Sequence, residues 1–240
     1  EAMTVNFGAI AEAYRGKRVL VTGHTGFKGG WLSLWLSEMG ADVTGVSLPP
    51  VGDRSLFDSA AIADLVDHRI ADIRIAEDFG EAAQGCEPDL LIHMAAQSLV
   101  RPSYEDPVGT IATNVTGTAV VLDWARRASS AKGIIVVTSD KCYENHEWPW
   151  PYRENDALGG ADPYSASKGC TEIVASAEAR LNAAHGTASV SDDAATALED
   201  AAQSLARRLG VDHLEFRNRS ARHPDWPTQE LYCTFRKAIL

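Results

Sequence analysis

The sequence predicts an α/β fold with a doubly wound parallel sheet, on three observations. Short β-branched apolar runs alternate with segments of helical period through the first three quarters of the chain. A glycine string, Gly23, Gly26 and Gly29, stands directly between the first such run and the first helical segment. The first run, VLV at its centre, is continuously apolar rather than alternating, as expected of a strand covered on both faces.

Taken in order, Lys17 to Thr22 (KRVLVT) reads as a buried strand stopped by glycine. Gly30 to Met39 has apolar residues at helical spacing and ends at Gly40, a natural C-terminal cap. Asp42 to Leu48 is the next strand, closed by Pro49 and Pro50. Strand, glycine turn, helix and strand within about 30 residues make a βαβ unit. The alternation continues with a strand over Arg69 to Ile73, a helix over Ala76 to Gln84 and a strand over Asp89 to Met94. A helix from Asn114 to Arg127, a strand from Gly133 to Thr138 and a helix from Tyr164 to Leu181 complete it.

After Leu181 the composition turns to Ala, Ser, Asp and Thr. Residues 1–182 therefore read as a dinucleotide-binding domain and 183–240 as a tail of different character. In the tail, Ser191 can cap a helix running to Leu209, and Val211 to Arg217 reads as a strand.

Three strings carry chemistry. In the glycine string, Gly23 permits a tight turn, Gly26 lets a pyrophosphate approach the backbone and Gly29 lets helix and strand pack closely. The acidic ribose ligand usual at the end of the second strand is missing: Ser47 and Leu48 stand there, with Asp53 a little beyond. Asp72 and Ile73 are candidate adenine contacts. After the fourth strand, Ala95 and Ala96 leave room for a cofactor against the backbone, whereas His93 reads as a core histidine. Ser139, Asp140 and Lys141 follow the fifth strand, at the edge where such folds place ligands. Tyr164 and Lys168, in YSASK, fall one helical turn apart on one face. The lysine's positive charge favours the phenolate, which makes Tyr164 a proton acceptor for an alcohol.

Bulk properties narrow the class. A chain of 240 residues can bury a sizeable core, and 45% hydrophobic with 23% charged residues is ordinary for a globular protein. The net charge of −11 disfavours nucleic acid as a partner, since phosphate binding needs clustered Lys and Arg. The four cysteines show no CxxC pair or metal-ligand spacing and read as reduced thiols. No apolar run reaches membrane-spanning length and no signal-peptide pattern opens the sequence, so the cytoplasm is the expected compartment.

Residues of roughly 14 to 181 resemble the extended short-chain dehydrogenase/reductases, specifically the CDP-D-glucose 4,6-dehydratases. The carrying strings are VLVTGHTGFKGGWLSLWL, HMAAQSLVRPSYEDP, ATNVTGT, VTSDKCYENHEW, YREND and DPYSASKGC. The resemblance implies a Rossmann-like domain holding NAD through Gly23, Thr25, Gly26, Phe27, Gly29, Asp72, Ile73, Ala95, Ala96, Tyr164 and Lys168. It also implies an internal redox cycle on a sugar nucleotide. Tyr164 would take the proton of the sugar 4-hydroxyl while NAD takes the C4 hydride, and Lys141 would remove the C5 proton. Asp140 would protonate the departing 6-hydroxyl, Ser139 would hydrogen-bond the 4-oxygen, and Gln97 would contact substrate. Lys168 would hold the nicotinamide ribose. A homodimer built on the helix of Tyr164 is a further implication.

The substrate-binding half that such dehydratases carry after this helix is not recognisable. Instead, residues of about 186 to 240, especially LARRLGVDHLEFRN and HPDWPTQELYCTFRKAI, resemble a fragment of Fem-type aminoacyltransferase relatives. A plainer reading extends the parallel sheet by one helix–strand unit. Two functions from different classes follow: a sugar-nucleotide 4,6-dehydratase, or a catalytically silent dinucleotide-binding module. An aminoacyltransferase is weaker, because the tail is too short for a complete acyl-carrier site.

Overall fold

The computed structural model describes residues 7–52, 54–128, 130–153, 155–185, 216–218 and 231–233. In chain order the elements are α1 (Phe7–Tyr14), β1 (Arg18–Thr22), α2 (Phe27–Glu38), β2 (Asp42–Ser47), α3 (Leu56–Ser59), β3 (Asp67–Ile70), α4 (Ala76–Ala82) and β4 (Leu90–His93). There follow α5 (Val100–Glu105), α6 (Pro107–Ile111), a π-helical turn (Ala112–Thr116), α7 (Gly117–Ala128), β5 (Gly133–Val136), α8 (Pro163–His185), β6 (Phe216–Asn218) and β7 (Leu231–Cys233). Contacts divide the chain into two units. The first comprises residues up to Ala95 with Arg127–Val136; the second comprises Ala96–Arg126 and residues from Val137 onward.

The first unit holds a five-stranded sheet in the order β3-β2-β1-β4-β5, and every pairing is parallel. Its centre is dry: Val19, Leu20 and Val21 of β1, Val46 of β2 and Leu91 of β4 are all buried. An all-apolar strand needs cover on both faces, which accounts for the continuous hydrophobic runs in the sequence. Helix α2 follows β1 through the glycine turn and ends as expected at Gly40. There Gly40 N–H bonds the Ser37 carbonyl and Ala41 N–H bonds that of Leu36, the paired pattern of a Schellman stop.

Two expectations shift here. The third strand is Asp67–Ile70 rather than Arg69 to Ile73. Pairing with β2 ends as Ala71 N–H bonds the Ser47 carbonyl, after which Arg74 clasps the Asp72 carboxylate and turns the chain. Helix α3, with Ser55 as its cap, was not foreseen.

The second unit is helical around α8. Asp162 accepts from the backbone N–H and hydroxyl of Ser165, and Pro163 occupies the first helical position, so the helix starts where the sequence switches from loop to YSASK. Against α8 pack α5, α6 and the π turn. The segment Val100–Ile111 carries two short helices where no element was expected, because Pro102 and Pro107 break the helical period. Asp106 caps the second through Gly109 N–H, with Pro107 behind it.

Of the tail, the helix expected over Ser191 to Leu209 lies outside the described residues. The strand expected over Val211 to Arg217 is described only as Phe216–Asn218. It pairs antiparallel with Leu231–Cys233 in a separate two-stranded sheet rather than extending the parallel one.

Candidate functional site

The glycine turn lies in the first unit, between β1 and α2. Gly23 has φ +80°, and a Cβ there would stand 2.7 Å from the Ala95 nitrogen, so the position requires glycine on both counts. A Cβ on Gly29 would overlap the Gly23 carbonyl oxygen, which brings the first turn of α2 down onto the end of β1. Gly26 is the N-cap and offers no side chain to α2, so the N–H groups of its first turn lack side-chain partners. That is the polarity an anion needs. Phe27 is largely exposed beside them.

Thr25 turns inward instead: its hydroxyl lies 2.8 Å from Ser47 Oγ and donates to the Leu48 carbonyl at 2.8 Å. The residues standing where an acidic ribose ligand is usual thus anchor the turn. Thr22 Oγ1 accepts from the backbone N–H groups of Met94 and Ala95, both at 3.1 Å, fixing the loop after β4. His93 is buried, its Nδ1 2.6 Å from the Thr22 hydroxyl, consistent with a core histidine. Asp72 follows β3, but its carboxylate is bonded by the Arg74 guanidinium at 2.5 and 2.9 Å. That hydrogen bond, opposed by partial burial, holds it below the usual carboxylate range. Ile73 is in the core.

The second unit places Tyr164, 8% exposed, and Lys168, 6% exposed, one turn apart on α8. Lys168 Nζ reaches the Val137 carbonyl at 3.4 Å. One turn further, Glu172 accepts from the Thr138 hydroxyl. Burial pushes the Glu172 carboxyl up, while the Thr138 bond and the Lys168 charge work against the rise. Ser139 caps a 3-10 turn, Asp140–Cys142, accepting from Lys141 N–H at 3.2 Å. Its hydroxyl proton is left to donate. Asp140 and Lys141 are exposed. This turn packs on α8 beside Lys168: a Cβ on Gly169 would come within 3.2 Å of the Cys142 carbonyl. Ser139, Asp140, Lys141, Tyr164 and Lys168 therefore belong to one turn–helix assembly.

Two residues escaped the sequence reading. Asn114, in the π turn, is buried; its Oδ1 accepts from Gln97 N–H at 2.8 Å and its Nδ2 donates to the Gln97 carbonyl and the Ser167 hydroxyl. Its own carbonyl accepts from Thr118 and Thr171. It joins the loop after β4 to the helix of the Tyr–Lys pair, and the widened π turn is what opens its carbonyl to side-chain donors. The Gln97 amide itself is engaged by Leu99 and Thr110. Ala96 is half-buried just before it. His24, inside the glycine turn, is the other. An asparagine or histidine signals its burial only through partners far away in sequence.

The family described as GDP-mannose 4,6 dehydratase matches residues 20–186. The CDP-glucose 4,6-dehydratase of Salmonella typhimurium is 52% identical over 164 residues, covering 68% of this chain and 46% of that protein. A UDP-glucose 4-epimerase of Mycolicibacterium smegmatis is 31% identical over 156 residues, covering 65% and 49%. Among solved structures, a Thermus thermophilus UDP-glucose 4-epimerase in complex with NAD is similar at 27% identity and TM-score 0.61, covering 69% of this chain and 51% of that one. The chain spans about half the length of the curated relatives it matches. A match running from Leu20 in β1 to residue 186, just past the described end of α8, makes this chain a member of the GDP-mannose 4,6 dehydratase family.

Proposed function

We propose that the chain is the NAD-binding and catalytic part of a nucleotide-sugar 4,6-dehydratase that converts CDP-D-glucose to CDP-4-keto-6-deoxy-D-glucose. The observation that carries this is the buried Tyr164–Lys168 pair on α8 with the Ser139–Cys142 turn packed on the same helix at Gly169.

The glycine turn fits a dinucleotide. Helix α2 has no side-chain cap, and a Cβ on Gly26 would meet only the Gly23 carbonyl oxygen, at 3.3 Å. The backbone from Gly23 to Gly29, including Phe27, would receive the pyrophosphate, with Thr25 holding the turn in place. Ile73 with the backbone of Asp72 would border the adenine, Ala95 and Ala96 would flank the cofactor, and Tyr164 and Lys168 would reach the nicotinamide ribose. Bound there, NAD supplies a hydride acceptor at the sugar C4 and the hydride later delivered to C6.

The chain's own residues handle the protons. Tyr164, beside the Lys168 charge, takes the proton of the 4-hydroxyl, and Ser139 donates a hydrogen bond to the 4-oxygen. The ketone acidifies the C5 proton, which Lys141 removes. Asp140 gives a proton to the 6-hydroxyl, which departs as water. Exposure of Asp140 and Lys141 at the turn supports their access to a sugar. Gln97, its amide engaged within the chain, would border the substrate through its position after β4.

Two copies pairing through α8 belong to the same reading, supported by exposed Ile173 on that helix. So do a cytoplasmic setting and a product feeding deoxysugar synthesis. Among the described residues no helix is long and apolar enough to cross a membrane.

Incubation with NAD and CDP-glucose tests the proposal. The chain should form a 4-keto product, and Tyr164→Phe should lower the rate at least about 100-fold, the scale of a lost general base. Bound NAD without any product would favour the second reading, a silent dinucleotide-binding module.

A further inference from the structure

His24 is the second residue of the glycine turn and is 0% exposed. Its ring fills the space above Gly45 of β2, where any Cβ would overlap it, and meets Phe57 of α3 edge-on at 5.4 Å. Its Nε2 lies 2.6 Å from Nδ1 of His68 on β3. Its Nδ1 is buried with no hydrogen-bond partner. Consecutive side chains thus pin the turn to the sheet: His24 reaches β3, while Thr25 reaches the end of β2. Between them, the backbone is tied by Gly23 N–H to the Val46 carbonyl at 2.9 Å.

A 2.6 Å contact between two ring nitrogens needs one proton in the bridge. Two neutral imidazoles carry two protons, so the second sits on an outer nitrogen. Adding a third, to charge the pair, puts protons on both outer nitrogens, and one of these is the unpartnered Nδ1 of His24. The geometry therefore opposes protonation, although the Val46 carbonyl, which accepts Gly23 N–H, keeps a second lone pair. Burial first, then repulsion from His68, lowers the His24 pKa to about 4, with Val46 opposing. Gly45 and Val46 face His24 from β2 and Phe57 from α3, and Asp58 beside it is engaged by Ser55. Flanking His68 on β3, Asp67 and Arg69 pair with each other.

We propose that His24, braced against His68 and seated over Gly45, is a positioning residue that fixes the glycine turn in the shape that receives the dinucleotide pyrophosphate. The proposal rests on the reading of that turn as the NAD site. Pinning matters because α2's N–H groups are useful to a phosphate only if the backbone leading into them is held before the ligand arrives.

The test is NAD affinity of the full chain, by calorimetry at pH 7.5 and well below the melting temperature, so that every variant is fully folded. His24→Phe keeps the aromatic volume and loses the bridge; it should bind NAD at least about 10-fold more weakly, the loss of one well-placed contact. His68→Phe, which leaves the turn's own sequence intact, should do the same, and His68→Asn, which keeps a hydrogen-bonding partner, should recover most of the affinity. Nitrogen-15 spectra of the histidine rings should show His24 neutral at pH 5.5, where an ordinary histidine is about 90% protonated. Wild-type affinity in His24→Phe and His68→Phe, or a charged His24 at pH 5.5, would overturn the proposal. Failure of the wild-type chain itself to bind NAD would instead remove the cofactor reading beneath it.

Discussion

Asn114 shows how one buried amide ties the loop after β4 to α8. Its amide and carbonyl make five hydrogen bonds in a buried setting, two of them to the backbone of Gln97 and two to α8 through Ser167 and Thr171. Truncation would leave several of these groups unpaired away from water, where each costs about 1–3 kcal/mol. We expect Asn114→Ala to lower the unfolding free energy by at least about 2 kcal/mol in denaturant titrations; a loss below 1 kcal/mol would contradict the clamp. The placement of Tyr164 and Lys168 on one helix was legible from sequence because it lies in a local spacing, one helical turn. Asn114 and His24 were not, because each has a defining partner 44 or more residues away (Ser167, His68) that only the folded chain brings near. Asp72 is a related case: a strand-end aspartate could meet adenine or a neighbour, and Arg74, two residues on, engages its carboxylate.

At the level of elements, α8 carries Tyr164, Lys168 and Glu172 spaced four apart. Glu172 is the unstable member. Burial holds its carboxyl above the ordinary glutamate range that it has in the unfolded chain. From that range upward the unfolded chain gives up the proton more readily than the folded one, so stability falls as pH rises through the folded value. Replacing Glu172 with Gln removes this dependence. The melting temperature of Glu172→Gln relative to wild type should therefore climb between pH 5 and pH 8; a constant gap would mean that Lys168 fully compensates the carboxylate. Element type followed from period wherever a run was long and regular, as in β1, α2 and α8. The proline-broken α5 and α6 and the four-residue α3 left too short a pattern to read. β3 slid three residues towards the N-terminus at its end because pairing stops at Ile70 and the Asp72–Arg74 clasp turns the chain.

For the whole molecule, the strand order β3-β2-β1-β4-β5 follows from one rule applied twice. The chain moves outward from β1 in one direction, then returns to β4 beside it and moves outward in the other. The order reverses at β1, the strand that feeds the glycine turn, which is where sheets of this kind take their ligands. A doubly wound parallel sheet was legible from the alternation of apolar runs with helical segments; the strand order was not. The division into units at Ala95 and Ala96 was not, because it depends on which helices gather round α8 and not on composition. The family match stops at residue 186, close to the compositional change read after Leu181. The proposed role of the glycine turn as a NAD site is best checked by calorimetric titration of the full chain with NAD. Saturable binding at one NAD per chain is expected, abolished in Gly29→Val, whose side chain would drive into the Gly23 carbonyl. No heat of binding in the wild type, or equal binding in Gly29→Val, would contradict it.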